Sequence, residues 1–351
     1  METVERKFMN QTEDFQYGRF TRRKIVYITV GILLCLAALT ADVLIGSSQL
    51  GPEKIMQILL HPEASPKAVR AIIWDVRLPI ALMALVVGAA LGTSGAAMQT
   101  ILGNPLASPY TLGLSAGAGF GASFAMVIGL GSLPLAGNTA VSLCAFVCAL
   151  LACGGIYLIS KQTHFATGTM VLAGIGMVFF FQAGQSFLQY IASNEALSGV
   201  VFWTFGSLSK SDWPKLFTVL AAFLAVFLVV YKNAWKMTAL TMGEERAKVL
   251  GVNVSRLRMI VFLLISLLTA TAVSFVGCIG FVGIVAPHIA RILLGEDQRY
   301  YLPMSAVIGA LLLSCANIAA KSIVPGAVFP IGILTSLIGV PVFFTLIIKK
   351  R

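Results

Sequence analysis

The sequence predicts an all-α fold, a polytopic transmembrane bundle of about ten spans. Three observations carry that expectation. Of 351 residues, 58% are hydrophobic and only 11% charged, where a soluble domain carries about 25% charged residues. Apolar runs long enough to cross a bilayer, about 20 residues each, recur along most of the chain. These runs are continuous and do not alternate, which excludes a β-barrel. The excess of positive charge, +11, collects between the runs, so it reads as a topology signal and not as a nucleic-acid surface.

Residues 1–24 form a polar, basic N-terminal segment expected on the cytoplasmic side. No small-residue cleavage site follows the first apolar run, so that run is expected to remain as a span. The rest, 25–351, reads as a single transmembrane domain. Span one covers about 25–45, behind Arg19, Arg22, Arg23 and Lys24. An outer stretch, 47–76, follows, with an amphipathic helix expected from Pro52 to Leu60. Span two, about 79–101, is crowded with Gly88, Gly92 and Gly95, small residues that let helices approach closely. The prolines of GNPLASP, 103–109, forbid a continuous helix there. Span three, about 111–130, is again glycine-rich, and span four, about 139–160, ends at Lys161.

Span five, about 168–192, carries Gln182, Gln185, Ser186, Gln189 and Ser193 on one helical stripe. Polar side chains in hydrocarbon must face a partner helix or water. The stripe is therefore either interhelical hydrogen bonding or the wall of a water-filled path. A short outer helix around VVFWTFGSL leads to span six, about 214–231. Span seven covers about 259–279, and a shorter span eight follows GFVGIVAPH and ends near Leu294. Span nine covers about 301–320, KSIVPGAVFP is an outer loop, and span ten covers about 330–348. With both termini inside, 18 Lys and Arg fall on the inner side and 7 on the outer, as the positive-inside rule requires.

The stretch around which the chain is organised is the charged loop 232–258 between spans six and seven. Gly243 and Gly251 bracket EERAKVLG, enough for about two helical turns. Glu244 stands four residues before Lys248, the favourable order for an exposed pair. Ala247, Leu250 and Val254 are expected to give this helix an apolar edge. A short helix of this kind suits docking of a soluble partner, and a solvated connecting loop is the alternative.

Little else carries chemistry. The chain has no G-x-x-x-x-G-K-[ST] loop to cradle a nucleotide. Asp42, at the outer end of span one, is the lone carboxylate within a predicted span, which weakens the case for a carrier driven by protons or sodium. His61, His164 and His288 are scattered, and the six cysteines lie in apolar runs without ligand spacing, so metal is not expected and the cysteines read as small packing residues. A translocator without an engine of its own must borrow one.

RLPIALMALVVGAALGTSGAAMQTILGNPLASPYTLGLSAGAG at 77–119 resembles the hallmark of FecCD-type permeases of ABC importers, which take up ferric siderophores, haem and cobalamin. The resemblance continues in order through GEERAKVLGV at 243–252, GFVGIVAPHIAR at 280–291 and FPIGILTSLIGVPVF at 329–343. It implies a type II importer permease that dimerises with a second copy or paralogue and has no nucleic-acid partner.

It also implies ABC ATPase subunits on the cytoplasmic side, which bind the ATP and Mg, and an extracytoplasmic substrate-binding protein. No cofactor and no catalysis are implied for this chain itself. Gly243, Glu244, Glu245, Arg246, Ala247, Lys248, Leu250 and Gly251 would then couple to the ATPase. Glu245, Ala247 and Gly251 keep the E-x-A-x-x-x-G spacing, with Arg246 where alanine is commoner. Gln182, Gln185, Ser186 and Gln189, with Thr335 and Ser336 of span ten, would line the path, and Thr167 and Gly168 would form its cytoplasmic gate.

Arg77 matches a position that docks the binding protein, and Lys321 stands at the other with lysine for arginine. Ile80 replaces a further arginine, so docking charge is reduced. The cargo implied is an iron chelate of the ferric siderophore kind, carried by alternating access across the cytoplasmic (inner) membrane. Haem, cobalamin or another metal chelate is the alternative, and a stand-alone secondary carrier a more distant one.

Overall fold

The structure, a computed structural model, describes residues 2–46, 51–132, 137–323 and 329–349. Part of the expected outer loop, 324–328, and the closing cations Lys350 and Arg351 lie outside the described residues. The described chain is helical. Helix α1, Glu2–Leu44, runs unbroken through the basic segment and span one. Helix α2, Pro52–Leu60, falls where the amphipathic outer helix is expected, and seats Ile55 and Ile58 against Val43 and Ile73. Helix α3, Lys67–Leu102, is the long second span, its backbone widening to π turns over Ile72–Arg77.

Helices α4, Leu114–Val127, α5, Gly137–Gln162, and α6, Thr167–Ile191, follow. The outer helix α7, Asn194–Thr204, begins earlier than the sequence suggests because Ser193 caps it. Its hydroxyl accepts from the Ala196 amide at 3.3 Å, which removes Ser193 from the polar stripe of α6. Helix α8, Trp213–Lys232, starts at the Asp212 cap. Helices α9, Ala234–Thr241, and α10, Glu244–Val249, fill the central loop. Then come α11, Val254–Val276, α12, Val282–Leu294, α13, Gln298–Ile323, and α14, Ile331–Lys349.

Seven of these helices are long and apolar enough to cross a membrane, and Leu114–Val127, Val282–Leu294 and Ile331–Val342 are shorter apolar segments. Together they account for the expected runs. The short ones are completed by irregular backbone that is packed inside protein: Ala107, Ser108 and Leu112 before α4, and Cys278 and Ile279 before α12, are buried. Irregular backbone at membrane depth is tolerated only in such surroundings.

Glycine decides which helices touch. A Cβ on Gly88 would meet the Gly309 carbonyl of α13, one on Gly92 the Ser305 carbonyl, and one on Gly95 the Gly283 carbonyl of α12. Helix α3 is thus the central post, clasped backbone to backbone by α12 and α13. Helix α1 lies at the edge, with Lys24 over the Tyr300 ring at one end and Asp42 against Asn317 and Lys321 at the other.

Candidate functional site

At the end of the bundle that bears the central loop, α10 projects as a helix of six residues. Gly243 and Gly251 have φ of 113° and 80°, conformations that only glycine adopts without strain, and they turn the chain into and out of the helix. Glu244 pairs with Lys248 at 3.3 Å, as their spacing predicts. Partial burial works against ionisation of Glu244, yet Arg258 and Lys248 outweigh it and hold the carboxyl below its ordinary range. Ala247 is buried, and Val254 with it, but Leu250 is not part of that edge. The helix has ended at Val249, so Leu250 leaves the helical register and turns outward. Val249 and Leu250 are 87% and 55% exposed, an apolar tip on a charged stalk.

Behind α10 lies a group that sequence reasoning missed. Arg258, in the first turns of α11, is buried to 8% side-chain exposure and binds Glu244 at 2.9 Å through Nη2. Its Nε donates to the Ile101 carbonyl at the end of α3 at 3.0 Å, and its Nη1 to the Phe165 carbonyl at 3.5 Å. A second knot sits beside it: Arg291 of α12 donates to Gln99 and to the Tyr301 hydroxyl, at 3.4 and 3.3 Å, and pairs with Glu296 at 3.3 Å. Between them opens a cavity of about 990 Å³, bordered by Gln99, Asn104, Thr167, Glu244, Arg258 and Arg291. In the sequence Arg258 closes the charged loop, one residue ahead of the expected span seven. The helix in fact begins at Val254 and so takes Arg258 into its first turns, where a buried ionisable group needs a partner.

Residues 32–349 match the FecCD transport family. The chain belongs to that family. It is 34% identical over 324 residues to the hemin transport system permease protein of Yersinia pestis, covering 92% of this chain and 96% of that one. With the vitamin B12 import system permease protein of Vibrio vulnificus it shares 33% over 330 residues, covering 94% and 95%. A solved structure described, provisionally, as a metal-chelate type ABC transporter in an inward-facing conformation superposes with a TM-score of 0.79 at 30% identity, covering 92% of this chain and 99% of that one. The protein is accordingly a multi-pass ABC importer permease, not itself catalytic, and such a permease implies ATPase and binding-protein partners.

Gln182, Gln185, Ser186 and Gln189 share one face of the unbroken α6, but their surroundings differ. Gln182 and Ser186 are exposed, whereas Gln185 packs its amide against Gly119 of α4, where an added Cβ would stand 2.9 Å from Oε1. Gln185 therefore serves helix packing in this chain, and Gln189 is half-buried. On α14, the hydroxyls of Thr335 and Ser336 both donate to the Gly332 carbonyl, at 3.1 and 2.7 Å. Ser336 borders a recess of about 510 Å³ with Tyr110, Phe205, Leu337 and Val340, while Thr335 is buried. Thr167 opens α6 at the rim of the large cavity, and Gly168 has free space around it.

The two outer cations are brought together, on α1. Arg77 is 6% exposed and donates to the Val43 carbonyl at 3.1 Å. Lys321 pairs at 2.7 Å with Asp42, which is fully buried and also takes both Asn317 amide bonds. Both charges thus close on the last turn of α1, and neither projects outward as a docking charge would.

Proposed function

We propose that this permease forms one half of the path by which an iron chelate of the ferric siderophore type enters the cytoplasm. The observation that supports a chelate is the uncharged face of α6. From Thr167 to Ile191 there is no Asp, Glu, Lys, Arg or His, and exposed Gln182 and Ser186 offer amide and hydroxyl contacts alone. A bare ion needs protein groups to replace its hydration shell, whereas a chelate brings its ligands with it. The recess beside Tyr110, Phe205 and Ser336 is likewise uncharged.

In this reading two copies pair, and Gln182, Ser186, Gln189 and Ser336 face the path at their junction. Thr167 and Gly168 close it on the cytoplasmic side, and α10 seats its exposed tip on the ATPase. Docking of the binding protein through Arg77 and Lys321 requires their release from α1. A second cargo, a tetrapyrrole, is supported by the relatives named for hemin and vitamin B12.

The test is uptake into vesicles holding the permease with its ATPase and binding protein. ATP-dependent entry of a labelled ferric siderophore, with haem and cobalamin excluded, is the expected result. Entry of a tetrapyrrole alone would replace the cargo, and uptake without ATP would overturn the importer reading. Glu245→Ala with Gly251→Pro, which removes the left-handed turn after α10, should leave the chain in the membrane and abolish coupling.

A further inference from the structure

We propose that Arg258 is the positioning residue that passes the movement of α10 to the turn ahead of α6, a role that rests on the coupling reading given above. Its guanidinium touches α10, the end of α3 and the α5–α6 turn together, through Glu244, Ile101 and Phe165. The planar fork of arginine can hold three acceptors at fixed angles, which a lysine ammonium on a flexible stem does not. Being 8% exposed, it is held by its surroundings, so displacement of any one acceptor is felt by the others.

The turn that it holds is strained. His164 and Phe165 have φ of 50° and 59°, two successive non-glycine residues in the left-handed region. Such conformations persist where the surroundings over-determine them and cluster at elements that switch. Here the Phe165 amide donates to the Ser160 carbonyl at 2.8 Å, its ring is buried, and its carbonyl accepts from Arg258. Two residues later stands Thr167, which lines the same cavity as Glu244. A shift of α10 that draws Glu244 from Arg258 frees the guanidinium, and with it one of the restraints on the turn.

The experiment uses the complete transporter in vesicles and reads chelate transported per ATP hydrolysed. A second reading is thiol labelling of Thr167→Cys, in a chain whose native cysteines are replaced, with and without ATP. Arg258→Met should lower the transport-to-hydrolysis ratio about tenfold and erase the nucleotide dependence of labelling. Arg258→Lys should recover only part of both. Glu244→Gln should act in the same direction, and the double variant should be no worse than Arg258→Met, as expected for two members of one link.

A merely structural arginine would lower transport and hydrolysis together and leave the ratio and the labelling response intact; that result overturns the proposal. If Arg258→Met does not reach the membrane, Glu244→Gln decides by the same two readings. When Glu245→Ala with Gly251→Pro also leaves the ratio unchanged, the coupling reading itself has failed. Should that pair uncouple while the Arg258 and Glu244 variants do not, the link through Arg258 alone is refuted.

Discussion

The apolar 18-residue stretches of helices α3 and α6 have similar mean hydropathy, 1.9 and 1.6, yet 78% of one stretch and 22% of the other is buried. Apolarity does not separate them; side-chain size does. Along α3, Gly88, Gly92 and Gly95 let the carbonyls of α12 and α13 close on the backbone. Along α6, Phe179, Phe180, Phe187 and Tyr190 stand 63% to 88% exposed. In lipid no hydrophobic drive brings helices together, so close packing and polar contacts must. Of these two helices, the one lined by small residues is the post of the fold, and the one lined by large aromatic residues is left for lipid or a second copy.

Four substitutions or conditions test that contrast, from the largest effect downward. Gly95→Val would push a branched side chain into the Gly283 backbone, where nothing flexible can yield. It should cost about 3 kcal/mol or more and yield aggregated protein in size-exclusion of detergent extracts; a monodisperse, wild-type-like protein would break the size argument. Lys321→Ala asks whether a poorly packed helix can be fixed by charge instead. Asp42 would be left buried without its cation, at a cost of about 3 kcal/mol, and Asp42→Asn in the same chain should restore much of the lost Tm.

The third test sets two neighbours on α6 against each other. Gln185→Leu should lower stability by about 1 kcal/mol, because its amide packs on Gly119. Gln182→Leu should leave stability within about 0.5 kcal/mol of wild type while reducing uptake. Equal thermal effects would mean that the two glutamines share one role.

The smallest effect is that of pH on Glu244. Its carboxyl is held below the ordinary value, so its contribution is present above about pH 4.3 and lost as pH falls through the lower folded value. Solvent reaches this side chain and limits the contribution to about 0.5 kcal/mol. The Tm difference between wild type and Glu244→Gln should therefore shrink toward zero below about pH 4.

Much of the architecture was legible because membrane helices announce themselves by length and by glycine. The bounds of α2 and the Glu244–Lys248 pair were readable from local pattern, whereas the break expected over 280–288 falls earlier, at 277–281, and Pro287 lies inside α12. What was not legible depends on which elements meet. Spacing placed Gln185 and Gln182 on one stripe, but only the approach of Gly119 assigns Gln185 to packing. Arg77 and Lys321 look like outward charges in sequence, and only the folded chain brings the end of α1 within their reach. Arg258 was counted as one more positive charge of the loop, since its three acceptors come from residues 101, 165 and 244.

The shortness of α12 bears on how the chain is made. Its 13 residues span about 20 Å, against about 30 Å of hydrocarbon, and the irregular backbone before it, at Cys278 and Ile279, is buried in protein. A segment of this kind has no stable position in lipid when it leaves the ribosome. It must wait beside the insertion machinery until the later α13 arrives to complete its surroundings. Biogenesis of this chain therefore cannot proceed as independent insertion of one helix after another, and a nascent chain that stops before α13 should be cleared as unassembled although most of its long helices are already in place.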